Sequence, residues 1–268
     1  MSNMDTQMGV RRFGQVNWLG LWTLTVREVM RFLNVWSQTV MAPLINAGLL
    51  LLIFTIAIGP GRGAVMGVPF TTFIAPGLMT MTVIQNAFAN TSSSITSAKV
   101  NGHIVDTLMP PLSPIELTIG YVAGAVLRGL LVAIVIAIGV WVFLGIVPHN
   151  VFIVLLFSIL GGAFMGALGL MAGIYAQKFD QLAAVSNFVV TPLAFLSGTF
   201  YSIEALPPLM QTLSHINPMF YMIDGVRYGM IGVSDSSPWL GLVVCLLACA
   251  AVLTIVWQML KRGYRLKS

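Results

Sequence analysis

Runs of about twenty residues without a charge recur along this chain, and they decide what it can fold into. Residues 40–59 and 151–176 carry no charged side chain at all. A helix needs about 20 predominantly apolar residues to cross a hydrocarbon core of about 30 Å. Only 8% of the residues are charged, against about 25% in soluble domains, too few to cover a water-facing globule. The expected fold is therefore an all-α polytopic membrane protein. Six spans occupy roughly 120 positions of the 268, and the remainder is scattered among ends and connections. A soluble enzyme, a DNA-binding domain and a self-contained ATP-driven pump are excluded.

The net charge of +5 points to membrane orientation rather than to nucleic acid, because the basic residues sit at chain ends and in short connections. With both termini inside, Arg11, Arg12, Arg27, Arg31, Lys99, Lys178, Lys261, Arg262, Arg265 and Lys267 face the cytosol. Only Arg62 and Arg227 face outward, and Arg128 falls in the third span. Cys245 and Cys249 lie one helical turn apart in an apolar run and read as small packing residues. His103, His149 and His215 lie in separate connections and form no ligand cluster, so no metal site is expected.

Along the chain, residues 16–38 form an amphipathic pattern with Trp18, Trp22 and Trp36 on one side and Arg27 and Arg31 on the other. Such a helix lies in the membrane surface. Spans follow at 40–59, 70–91, 113–147, 151–176, 182–201 and 239–260. Pro76 and Pro192 interrupt two of them. Ser113, Pro114 and Glu116 form a capping box that starts the third span. A helix from there to Val147 has about 34 residues and measures roughly 50 Å, so its first turns project into the cytosol. Arg128 then lies near the inner boundary, where orientation and packing explain it better than function does. Gly162/Gly166 and Gly169/Gly173 are spaced for close helix packing in lipid. Segment 202–237 is apolar but cut by Pro207, Pro208 and Pro218, and reads as a re-entrant helical pair. Asp224 and Arg227, three apart, are placed to pair on its second helix.

The spans lack the acidic residues that a proton- or sodium-driven carrier needs, and no internal repeat of the transporter kind is evident. A P-loop requires lysine directly after glycine, whereas Lys99, Lys178, Lys261 and Lys267 follow Ala98, Gln177, Leu260 and Leu266. Energy for uphill transport must come from another chain. An ion-coupled secondary carrier and a non-transporting membrane scaffold stand as the alternatives.

The segments KVNGHIVDTLMPPLSPIELTIGYVAGAVLRG and LSGTFYSIEALPPLMQTLSHINPMFYMIDGVRYGMIG resemble the ABC-2 type transport permeases. These are the membrane subunits of bacterial type-2 ABC exporters, including multidrug and nodulation-factor exporters. The likeness covers nearly the whole chain, making 1–268 a single domain of that type in the bacterial inner membrane.

The resemblance implies a permease dimer, expected to be a homodimer, on two copies of a separate P-loop ATP-binding subunit. ATP and magnesium would bind there and no cofactor on this chain. It implies that loop 99–112 couples to that ATPase through Asn101, Gly102, His103 and Asp106, with Arg27, Glu28 and Arg31 bordering the same surface. It also implies an outer gate at Asn217, Pro218, Tyr221, Asp224 and Arg227. Apolar and aromatic residues, Phe73, Met79, Phe88, Phe188 and Phe195 foremost, are the candidates for a pathway suited to amphiphilic cargo: a drug, or a lipid-linked or saccharide-type molecule.

Overall fold

The computed structural model describes Gly14, residues 16–61 and residues 63–265. Arg11, Arg12, Arg62 and Lys267 of the charge argument lie outside them. Ten helices, besides two three-residue 3-10 turns, follow one another among the described residues, and no strand does. They are α1 (Trp18–Leu33), α2 (Ser37–Ile58), α3 (Phe70–Val100), α4 (Ile104–Leu108), α5 (Pro114–Leu144), α6 (Val151–Tyr175), α7 (Phe179–Phe195), α8 (Pro208–Ile216), α9 (Pro218–Ile231) and α10 (Pro238–Lys261). The chain is an all-α membrane protein. Four helices, α2, α5, α6 and α10, are long and apolar enough to cross a bilayer. Their outer faces expose large apolar side chains such as Ile45, Leu52, Trp141 and Phe143, a surface suited to lipid rather than water.

The helix starts follow from local chemistry. At α5 the Ser113 hydroxyl accepts from Glu116 N–H, and the Glu116 carboxylate accepts from Ser113 N–H at 2.6 Å. The other Glu116 oxygen accepts from Asn17 N–H at 2.6 Å, while the Asn17 side chain caps α1. One carboxylate thus fixes two helix beginnings against each other. The α5 helix stops at Leu144, before the expected 147, because Gly145 takes a left-handed conformation (φ 67°) that ends the ladder.

Helix α3 is central. Its 31 residues span about 46 Å, and it packs on α5, α6 and α9. It is less apolar than the four candidate spans, yet Asn90, Thr91, Ser92, Ser94 and Thr96 are all buried. Protein rather than lipid surrounds these polar residues, and some find partners there: Thr91 Oγ1 donates to the Gly166 carbonyl at 2.7 Å and Ser94 Oγ to Glu28 at 2.8 Å.

The two glycine pairs of α6 serve different neighbours. A methyl group on Gly162 or Gly166 would press on Val126 and Ala125 of α5. On Gly169 or Gly173 it would press on the Phe88 and Ser92 carbonyls of α3. Helix α6 is therefore the spacer that holds α5 and α3 close. In contrast α2 stands at the edge, burying only Thr39, Pro43 and Ala47.

Candidate functional site

One end of the bundle gathers α1, α4, the start of α5 and the second half of α3. The tryptophan side of α1 is exposed, but its polar side docks into the protein. Glu28 is fully buried and accepts from Arg27 at 3.3 Å, from Arg31 at 3.2 Å and from Ser94 Oγ at 2.8 Å. Arg31 also reaches the Asn90 carbonyl at 2.6 Å and Asn90 Oδ1 at 2.9 Å. Arg27 bonds Thr107 of α4 at 3.0 Å and the Tyr121 hydroxyl of α5 at 3.0 Å. Burial works against its charge, but Tyr121 and Glu28 outweigh it and leave Arg27 above its ordinary pKa. Close approach is possible because Gly120 and Gly124 of α5 face Leu24 and Glu28 without intervening side chains.

From this junction the 101–103 turn and α4 project outward. Gly102 has φ 74°, a left-handed conformation that costs other residues about 1–2 kcal/mol. Asn101 is held by Ser97 at 3.1 Å. His103 and Asp106 face each other at 3.5 Å, both largely exposed. Around them Val100, Val105, Met109 and Ile115 are exposed apolar residues. Nearby, Lys99 Nζ donates to the Ile174 and Ala176 carbonyls at 2.7 and 2.6 Å, satisfying the last turn of α6.

The opposite end is organised around Arg227 of α9, which is completely buried. It meets Asp224 and Asp235, each at 3.2 Å, and the Gly198 carbonyl. Its guanidinium carbon lies 4.2 Å from the centre of the Phe73 ring. Asp224 in turn accepts from Asp235 N–H at 2.8 Å and from Ser236 N–H at 2.9 Å. Asn217 caps α9 and donates to the Leu193 carbonyl and Ser197 Oγ at 3.0 and 2.9 Å. Pro218 occupies the first turn of α9, and Tyr221 is buried beside Phe220 and His215. The five residues expected at an outer gate thus lie on one short helix, locked to the loop before α8 and the loop after α9.

Residues 20–231 match the family described as ABC-2 type transporter. The chain belongs to the ABC-2 type transporter family. It is similar to the inner membrane transport permease YadH of Escherichia coli K12, 38% identical over 251 residues, covering 94% of this chain and 98% of that protein. It also resembles nodulation protein J of Neorhizobium galegae, 25% identical over 243 residues (87% and 88% covered). As a membrane subunit of this family the chain is a transport component and not itself an enzyme, and the family implies partnership with an ATP-binding subunit.

Within this ABC-2 permease the apolar residues expected along a pathway fall into two groups. Phe73, Met79 and Phe88, with Phe70 and Met81, are buried in the packed interior of α3. Phe188 and Phe195 lie on the exposed face of α7, where Phe195 stacks on Phe200 at 5.4 Å. A cleft of about 570 Å³ separates α2 from α3, lined by Gln38, Asn46, Thr82, Gln85 and Asn86 together with apolar residues.

Sequence reasoning missed these amides, as it missed Thr107, Tyr121 and Asp235 as partners of the arginines and Ser94 as a partner of Glu28. The recurrence of Thr82, Gln85 and Asn86 at three- and four-residue steps is the signal that marks one polar face of α3. Nothing local marks the others, because each partner lies on a different element.

Proposed function

We propose that this ABC-2 permease is the membrane half of an ATP-driven exporter in a bacterial inner membrane. It acts as a homodimer on two copies of the ATP-binding subunit and moves an amphiphilic molecule outward. Helices α2, α3, α5, α6, α7 and α10 are its six spans, both termini are cytosolic, and α8 and α9 form a re-entrant pair. Arg27, Arg31, Lys99 and Arg265 gather at one end of the bundle, which supports that orientation by the excess of positive charge inside.

The observation that carries this reading is the α1–α4–α5 junction with its exposed apolar rim. Val105, Met109 and Ile115 flank the His103–Asp106 pair on a projection that, in this orientation, stands outside the lipid. Apolar groups there are stabilised by a protein partner. A push on α4 passes through Thr107 to Arg27, then through Glu28 and Arg31 to Ser94 and Asn90 of α3. Closure of the ATPase pair would thus tilt α1 and α3 together. The Arg227 cluster would move as one body, so outer opening would occur between the two copies.

Affinity purification of the tagged chain from its native membrane tests this reading. A P-loop ATPase should accompany the wild type, and Met109→Asp should reduce its recovery at least about tenfold, about 1.4 kcal/mol, without changing the elution of the permease. Asp106→Lys and Gly102→Val should cut transport while insertion persists. Recovery of the permease alone, in detergent and in nanodiscs, would sink the proposal.

A further inference from the structure

Among the described residues Arg227 and Arg128 are both largely buried, in opposite circumstances. Arg227 is surrounded by two carboxylates, a carbonyl and an aromatic ring. Arg128 of α5 has none of these. Its Nη2 donates to Asn86 Oδ1 at 3.1 Å, and its Nε is buried with no partner. Among the described residues no carboxylate pairs with it. The nearby charge that acts on it is Arg31, of the same sign. Glu28, the carboxylate of the adjoining junction, is already shared by Arg27 and Arg31. Asn90 Nδ2, one helical turn beyond Asn86, is likewise buried and unpartnered. A desolvated cation beside spare donors is costly unless an anion completes the site.

Asn86 connects this cation to the cleft between α2 and α3. Its Oδ1 holds Arg128 and its Nδ2 donates to the Thr82 carbonyl at 3.0 Å. The cleft changes character along its length. Gln38, Gln85 and Asn86 line the end level with Arg128, while Leu50, Ile53 and Leu78 line the other. Gln38 and Ile53, the two extremes on α2, are about 22 Å apart along the axis. Among the described residues no acidic residue lines the cleft. Its shape is that of a polar head with a hydrocarbon tail, and its head end adjoins an uncompensated positive charge.

We infer that the amide end of this cleft binds the phosphate group of an anionic amphiphile. Arg128 supplies the recognising charge, and the phosphate displaces Asn86 Oδ1 as its acceptor. Guanidinium pairs with phosphate through parallel N–H donors, and the buried Nε completes such a fork. Gln38 and Gln85 add neutral donors from the two walls. That the amphiphile is cargo rests on the exporter reading; that the site binds a phosphate head does not.

The test uses the full-length chain alone, in phosphatidylcholine nanodiscs, with fluorescent phosphatidic acid as the probe and no ATPase or nucleotide. Dodecyl phosphate should displace the probe, and uncharged dodecyl maltoside at the same concentration should not. Arg128→Gln should weaken binding at least about tenfold, and Arg128→Lys much less. Gln85→Glu, which places a negative charge at the half-buried wall and leaves Arg128 intact, should weaken it by a similar factor and covers the case in which Arg128→Gln fails to fold.

Unchanged binding in Gln85→Glu, or equal displacement by dodecyl maltoside, would overturn the site. Displacement by inorganic phosphate at the concentration that suffices for dodecyl phosphate would overturn the amphiphile assignment in favour of a free anion. Because no ATPase is present, a failure here leaves the purification result standing, and the reverse also holds.

Discussion

Gly169→Leu is expected to prevent α3 and α6 from pairing, with a loss of about 3 kcal/mol or more, at or above the usual range for overpacking. A single Cβ at that position already meets the Phe88 carbonyl and Thr91 Oγ1. The obstacle is helix backbone, which cannot rotate away as a long side chain can. Thr91 also donates to the Gly166 carbonyl, so separating the helices would take that interhelical bond from a buried hydroxyl. Gly48→Ala, with nothing within 4 Å of the added methyl group, is the matching control. Size-exclusion profiles of the two variants in mild detergent decide the matter: the control should elute with the wild type, and Gly169→Leu should aggregate or vanish. A normal profile for Gly169→Leu would mean that α3 and α6 are not held this closely.

Arg227→Met is expected to destabilise the chain by about 3–5 kcal/mol, because it leaves two buried carboxylates without a cation. The further changes Asp224→Asn and Asp235→Asn on that background should recover part of the loss, since they remove the stranded charges. The two cysteines of the chain are buried and free. A thiol-reactive dye followed during heating therefore reports unfolding directly. If Arg227→Met lowers the unfolding temperature and transport together, the cluster is chiefly a brace for α9. If transport is lost at an unchanged temperature, the same residues gate the exit.

Local signals were well expressed in the residues. The Ser113–Glu116 box, the break at Pro218 and the Asp224–Arg227 pair are all read within four positions of chain, and each appears in the structure. What stayed hidden depends on which helix lies opposite. The glycine pairs of α6 announced close packing, but whether α3 or α5 fills the gap is not written in their spacing. Helical rise placed Arg128 near the inner boundary, yet whether its side chain turned to lipid headgroups or to Asn86 depended on α3. The expected second span ended at 91, yet α3 runs on to Val100 through a polar stretch, because burial against protein, unlike burial in lipid, accepts hydroxyls and amides. Asp235 looked like loop charge, and only the return of that loop over α9 made it the second counter-ion of Arg227.

The isolation of α2 bears on how such a permease can change during evolution. Its anchoring to the rest of the molecule involves few buried side chains, whereas the glycine seams of α6 leave no room for substitution. Residues on the cleft-facing side of α2 can therefore be exchanged one at a time at little cost to folding. On the exporter reading proposed above, new cargo preferences can accumulate on that single wall while the α1–α4–α5 junction stays fixed. On that reading, divergence among permeases of this type should concentrate on one edge helix, with the α1–α4–α5 junction and the central pair almost unaltered.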